Sequence, residues 1–470
     1  MRCITRLPLN SRLASGSLAM QIALTKPLFA WDCLEDSPSL GTLKAFLAVI
    51  PDGPLLEGLR SARGRGRDDY PVHVLWGVVL LTVAMRHLTF EACLGELRRN
   101  EALRRLIGIE SEEKVPRKWN VSRFLDVLGQ EPHLTRAREI FDGMIRRLAE
   151  AVPDLGKHTA ADATALHARR KENPEQVQAE EVAGLPQPNG GKKEYFDEQG
   201  KVTKVFEWFG YKLHLLVDAK HEVILAYQVT SATTADAPTL PATLAQAQAN
   251  LPPQRIETLA FDKAADDQET HKRLARAKIK PLIQIRALWK SEPERMLPGH
   301  DGNSNIVYDE AGTLYCYDRS STPMVRHRMA YVGYEAQRGT LKYRCPAKHE
   351  GWSCPHEGVC NADKAYGLTV RVKCEIDLRR FPPIPRATKQ FERLYNGRTS
   401  VERVNARVKI FWGADDGNIS GAQRFHGFVG VIMIVHAAFA TLLAKNPRRE
   451  GTLSKVSLGP IQKALAAAAK

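Results

Sequence analysis

The chain has 470 residues and a formal net charge of +15, with 68 Lys and Arg against 53 Asp and Glu. That length admits two or three domains, and a hydrophobic content of 43% excludes wholesale disorder. The excess of cations points to a polyanionic partner, most simply nucleic acid. The eight cysteines stand without an export signal, so a reduced compartment is expected and structural disulfides are not.

Residues 1–40 read as a flexible leader. The stretch MRCITRLPLNSRLASGSLAMQIALTKPLFAW has no acid before Asp32, and Met20 offers an alternative start. Residues 41–152 read as an all-helical domain. Val72 to Leu88 follows Pro71 and is apolar nearly all round, the pattern of a buried helix. Thr89 is placed to cap TFEACLGELRRN, with Glu91 in its first turn and Arg98 and Arg99 in its last, matching the helix dipole. EALRRLIG follows, then NVSRFLDVLG opened by Asn120 or Ser122, then an amphipathic helix from His133 to Val152. Short helices with basic ends suit a helix-turn-helix-like DNA-binding module. A plain scaffolding or dimerising domain fits the pattern almost as well.

Residues 153–285 change texture. HTAADATALHA alternates like a strand, with Asp162 in its middle. Arg169 to Gly200 reads as a long loop. VTKVFEWFGYKLHLLVDA and EVILAYQVTSA form a hairpin. A helix over Ala237–Asn250, the strand IETLAFD ending at Asp262, a helix over Gln268–Ala277 and the strand KPLIQIR complete the region. Three strands, helix, strand, helix, strand is the order of a ribonuclease-H-like mixed sheet flanked by helices. In that order Asp162 lies on the central strand and Asp262 at the end of its neighbour. Residues 286–390 carry hairpin-like segments and read as a β-rich insertion. Residues 391–445 return to the mixed-sheet core. Phe428 to Ala444 is long and apolar but carries His436, so it reads as a buried core helix and no membrane segment is expected. Residues 446–470 read as a basic, mobile tail.

The stretch Phe391 to Trp412 reads as one helix. Tyr395, Arg398, Glu402, Asn405 and Lys409 recur at spacings of three and four, so a phenol, a guanidinium, a carboxylate, an amide and an ammonium share one face. Val401, Val404, Val408 and Phe411 form an anchoring stripe beside them. Asp162, Asp262 and Glu402 would together make a hard-oxygen site for Mg²⁺ or Mn²⁺. Two such ions about 4 Å apart clamp an in-line phosphoryl displacement.

The spacing Tyr395-x2-Arg398-x3-Glu402-x6-Lys409 resembles the Y-R-E-K signature of bacterial insertion-sequence DDE transposases of the hairpin-forming type. ADAT around Asp162, GYKLHLLVD from Gly210 to Asp218 and FDKAADD around Asp262 support the resemblance, as does the helical region from Pro71 to Gly108. It implies that Asp162, Asp262 and Glu402 are the metal-binding triad. It further implies that Tyr395, Arg398 and Lys409 contact phosphates of double-stranded DNA near the transposon end, and that the protein acts as a homodimer in the cytoplasm, associated with the nucleoid. One departure is Ala265, where the family usually has an aromatic residue. A ribonuclease-H-like nuclease and a non-catalytic DNA-binding regulator derived from a transposase are the alternatives.

The insertion carries a second constellation, CPAKHEGWSCPHEGVC. Cys345, Cys354 and Cys360 with His356 could ligate Zn²⁺ in a Cys3His site. His349 is near in sequence, and free thiols in a short loop are the alternative. His214, His221 and His436 read as core or surface histidines, and Trp208, Trp289 and Trp412 as packing residues.

Overall fold

A computed structural model describes residues 38–64, 69–169, 183–197, 201–290, 293–298, 305–318, 322–362, 364–447 and 451–469, with positions 175, 178 and 181. The expected leader, apart from its last residues, and the alternative start at Met20 lie outside the described residues.

The helical region comprises α1 (Pro38–Val49), α2 (Gly53–Arg63), α3 (Val72–Ala84), α4 (Phe90–Arg99), α5 (Glu101–Leu106), α6 (Lys118–Leu128) and α7 (His133–Ala151). Local chemistry sets the ends. The Thr89 hydroxyl accepts from Ala92 N at 3.1 Å, as its position predicts. Asn100 ends α4 and caps α5, accepting from Leu103 N at 3.1 Å. The start of α6 differs from expectation, lying at Lys118 rather than after Asn120 or Ser122. Asn120 is already inside the first turn, where its Oδ1 accepts from Arg117 N at 2.9 Å. The amide thus folds back onto the cap instead of forming it.

The central sheet is built from β1 (His158–His167), β2 (Asn189–Phe196), β3 (Val202–Asp218), β4 (Ile224–Ser231), β5 (Thr258–Phe261) and β6 (Lys280–Ile283). Helices α8 (Asp236–Asn250) and α9 (Gln268–Arg276) join the later strands. Strands run β3-β1-β5-β6, with β4 on β3 and β2 on the first half of β3. β1 and β4 are antiparallel to β3, while β5 and β6 run parallel to β1. Strand β2 corrects the expectation of a long loop over 169–200. Its sequence, NGGKKEYF, has no apolar period and lies largely exposed, so it is ordered by main-chain pairing with β3 rather than by a buried face.

The insertion forms a four-stranded sheet and a three-stranded sheet. The first orders β10 (Val325–Arg328), β9 (Leu314–Asp318), β8 (Ile306–Asp309) and β7 (Glu294–Met296). The second orders β11 (Ala330–Glu335), β12 (Thr340–Arg344) and β13 (Thr369–Lys373). Short helices α10 (Pro346–Glu350) and α11 (Glu357–Cys360) lie between β12 and β13. Leu314, Leu341, Val370 and Phe381 belong to a small core of the insertion's own.

The segment expected as one helix over 391–412 is divided. It comprises α12 (Lys389–Asn396), α13 (Thr399–Ala406) and a π-helical turn over Arg407–Phe411. The break falls at Gly397–Arg398. Then comes α14 (Ala422–Ala444), 23 residues long, whose most apolar 18-residue window has a mean hydropathy of 2.2 and would by length and composition suffice to cross a membrane. It is instead the buried spine of the fold, against α1, α3, α6, α7 and β4. One continuous apolar core therefore runs from the N-terminal helices through α14 into the sheet. The spine approaches α6 closely at Gly129, where a Cβ would stand 1.9 Å from the Gln423 carbonyl oxygen, so only glycine fits. His436, in the middle of α14, is fully buried and accepts from Ile224 N at 2.9 Å, beside the irregularity in the β3–β4 register. Burial drives its imidazole down to about 3, so it stays neutral.

The tail departs from expectation. Leu458–Ala468 forms α15, packed on α1 and α14 with Ile461 and Ala464 buried. The backbone N–H of Leu453 donates to His221 O at 2.9 Å.

Candidate active site

Strand register assembles the acids. β1 and β5 pair in parallel as His158 with Thr258, Thr159 with Leu259 and Ala160 with Ala260. The same offset carried two residues on sets Asp162 beside Asp262, which is the first residue beyond β5. Helix α13 lies across β1 and β3 and brings Asn405 Nδ2 within 3.1 Å of Asp162 Oδ2. Val401, Val404 and Val408 are fully buried beneath it, three members of the stripe expected to hold the polar face rigidly, whereas the fourth, Phe411, is exposed at 38%.

Burial pushes the Asp162 carboxyl up to about 6, with Asp236 adding to the rise and Lys193 and Arg398 opposing it. An ionised carboxylate in this place is under-compensated, which is the condition a bound cation relieves. Asp262 is exposed. It caps the short 3-10 turn Lys263–Ala265, accepting from Ala264 N at 3.1 Å. That turn is anchored by Asp266, which is fully buried in contact with His271 at 3.1 Å, Arg379 at 2.7 Å and Arg386 at 3.5 Å. Burial opposes the charge of Asp266, but hydrogen bonds from His271, the Arg286 backbone and Arg379 hold its carboxyl below the usual range. Ala265, at the position of the family's aromatic, is buried in the core.

Glu402 is half exposed and pairs with Arg398 at 2.8 Å. Tyr395 is half-buried and stacks on Phe391, ring centroids 5.5 Å apart. Burial raises the pKa of its hydroxyl; Asp262 and Glu402 both reach it and add to the rise, and Arg398 opposes it. Arg398 in turn feels Glu402, Tyr395 and Asp162. Tyr395 and Arg398 thus lie within electrostatic reach of the acids: Asp262 and Glu402 for Tyr395, and Asp162 and Glu402 for Arg398. Lys409 is turned elsewhere: it pairs with Asp415 at 3.0 Å, and Asp415 accepts from His167 N at 2.7 Å at the end of β1. The π turn, wider than an α turn, takes Lys409 off the line of Glu402.

Among the described residues no group of three or more His, Cys, Asp or Glu stands closely enough to hold a metal ion.

Residues 154–437 match the transposase DDE domain family. The chain belongs to that family. The matched span runs from the approach to β1 into α14 and takes in all three acids, the insertion and the helix pair α12–α13. No curated protein matches the chain.

Sequence reading passed over two residues around the transposase site and gave a third, Asn405, no partner. Asp236 begins α8 and faces Lys212 at 3.2 Å and His214 at 3.7 Å; an acid at a helix start ordinarily signals only the dipole. Glu222, buried in the β3–β4 turn, pairs with Arg403 at 2.6 Å and with Arg407. It locks α13 to the sheet. Asn405 was visible on the polar face, but nothing in the spacing distinguished it as the partner of Asp162. The three tryptophans divide. Trp208 and Trp412 are buried, while Trp289 is partly exposed between Arg295 and Arg380, at 4.3 and 4.8 Å from its ring. His214 and His221 are buried.

Proposed function

We propose that this transposase binds the inverted-repeat ends of its own element, hydrolyses phosphodiester bonds there to release a 3′-hydroxyl, and joins that hydroxyl to target DNA. The observation that carries the reading is the parallel pairing of β1 with β5, whose offset, continued two residues, would set Asp162 of β1 beside Asp262 just past the end of β5, with α13 and its Glu402 lying across β1. The strand order β4-β3-β1-β5-β6 with three antiparallel and two parallel members supports a ribonuclease-H-like core.

Asp162, Asp262 and Glu402 would hold divalent magnesium or manganese, as hard oxygen donors suit. Such ions, when bound, supply charge stabilisation at the attacking and leaving oxygens. The chain's own residues do the positioning. Arg398 can grip a phosphate beside the cut as a bidentate donor, releasing Glu402 from their ion pair as it does so. Lys409 acts as a point charge once a phosphate replaces Asp415. Tyr395 can donate to a phosphate or stack on a sugar or base. These contacts place DNA without reading its sequence. End recognition then falls to the helical region, and pairing of two ends requires a homodimer.

The test is a strand-transfer assay with Mg²⁺ and the element's own ends. Cleavage and joining by the wild type, lost in Glu402→Ala with end binding retained, is the expected result. Retained cleavage in that variant overturns the assignment. End binding without cleavage by the wild type would make the chain a regulator.

A further inference from the structure

The insertion's cysteines converge in a way their sequence spacing does not reveal. Cys345 precedes α10, Cys354 lies between α10 and α11, and Cys360 ends α11. These three line a small cavity of about 30 Å³ together with Cys316. Cys316 lies on β9, in the other sheet of the insertion.

We propose that Cys316, Cys345, Cys354 and Cys360 form a structural Zn²⁺ site that ties the two sheets of the insertion together. Four sulfurs around a cavity of this size match the tetrahedral all-thiolate coordination of closed structural zinc sites. Asn361 supports the arrangement, its buried Nδ2 donating to Cys345 Sγ at 3.5 Å, the outer hydrogen bond that orients a metal-binding sulfur. The four do not yet stand at ligating separation; a change of χ1 rotamer relocates a sulfur without moving the backbone. On binding, the thiols release their protons to solvent and the thiolates ligate.

The site also has a use for its place in the fold. The insertion's core is small, and small cores commonly depend on a metal or a disulfide for stability. The fourth ligand differs from the Cys3His expectation. His356 lines the same cavity and its Nε2 is buried without a hydrogen-bond partner among the described residues, so it is the competitor to Cys316 and the test separates them. His349 is not part of the set, lining a neighbouring basic pocket with Arg326, Arg328 and Lys389.

Full-length protein is purified without chelator and its zinc content measured by elemental analysis and by thiol-reagent release into a colorimetric chelator. The expected result is about one ion per chain, lost to background in Cys316→Ser and kept in His356→Ala. Cys374→Ser, which alters a buried thiol outside the cavity, keeps the ion and controls for general thiol loss. Because Cys316→Ser can fail to fold, wild-type protein is also loaded with Co²⁺, whose visible and charge-transfer bands distinguish four sulfur ligands from three sulfurs and one nitrogen. Absence of stoichiometric metal in the wild type overturns the site. Zinc lost in His356→Ala and kept in Cys316→Ser, or a cobalt spectrum with a nitrogen ligand, overturns the four-thiolate assignment.

Discussion

Asn405 donates its side-chain amide to Asp162 across 3.1 Å, bridging 243 positions of sequence and tying the helix of Glu402 to the central strand. Its Oδ1 has no hydrogen-bond partner among the described residues, so this hydrogen bond is what orients the side chain. Asn405→Ala should leave Asp162 with less support for its charge and lower cleavage roughly tenfold, which corresponds to about 1.4 kcal/mol. The inflection of the pH–rate profile should move upward. Asn405→Asp should do more damage, since it sets a like charge beside a buried carboxylate. A pH–rate profile for cleavage that matches the wild type in Asn405→Ala would remove the positioning role.

Asp162 gives a stability prediction whose sign is opposite to that of most carboxylates. Its pKa is about 6 in the fold and about 3.9 in an unfolded chain. The folded chain binds the extra proton between those values, so this contribution to stability falls as pH rises from about 4 to about 6 and is level above. That difference corresponds to ~3 kcal/mol. The side chain still reaches solvent, so we expect Asp162→Asn to gain ~1–2 kcal/mol at pH 8 and nothing at pH 4. Thermal unfolding at the two pH values measures it, and a loss at pH 8 contradicts it. Mg²⁺ should raise the wild-type Tm at pH 8 and leave that of the variant nearly unmoved.

Arg398 and Lys409 each already hold an acid, Glu402 at 2.8 Å and Asp415 at 3.0 Å. On the proposed function, DNA phosphate displaces those partners. Replacing either cation by Ala should weaken binding to any DNA sequence about equally and reduce the slope of log K against log salt by about one. Asp415→Asn should act the other way, tightening binding at low salt, because Lys409 is then free. Filter binding across a salt series reads all three. An unchanged slope in Lys409→Ala would take that residue off the DNA surface.

Glu222 is 3% exposed while its partner Arg403 is 51% exposed. It also sits at a φ of 56°, a left-handed backbone that costs a non-glycine residue ~1–2 kcal/mol. The pairing with Arg403 and Arg407 offsets that strain. Glu222→Gln keeps shape but weakens both ion pairs, and we expect a cost of ~2 kcal/mol, below the ~3–5 for breaking a fully buried pair because Arg403 remains hydrated. Chemical denaturation gives the number. Loss of cleavage exceeding what unfolding explains would show that the grip on α13 also positions Glu402.

What the sequence disclosed and what it hid follow from the kind of contact involved. The alternation around Asp162 and the apolar run ending at Asp262 announce strands, because one strand's burial pattern is local. Caps such as Thr89 are equally local. Strand β2 is not legible, since NGGKKEYF is held by β3's main chain and no side-chain period records that. The division of the 391–412 segment was hidden for the opposite reason: its 3.6-residue pattern is good, and Gly397 together with the π turn interrupts it without altering composition. Cys316 lies 29 positions before Cys345 on another sheet, so only the fold brings it to the other thiols. Asp236 and Glu222 were invisible for the same cause, their partners being distant in sequence.

The tail was misread because GPIQKALAAAAK is rich in alanine and shows few large apolar residues. Alanine is the best helix former, and one isoleucine is enough to dock the helix. Ile461 is fully buried between α1 and α14, whereas its neighbour Lys463 is exposed. Ile461→Ala should cost ~2–4 kcal/mol through lost burial and the cavity left behind, and Lys463→Ala should stay within about 0.5 kcal/mol of wild type. Urea midpoints at constant m-value make the comparison. Removing residues 447–470 should destabilise at least as strongly as Ile461→Ala, because it also uncovers the faces of α1 and α14 that α15 packs against. A truncated chain with an unchanged midpoint would show that α15 does not dock on the spine.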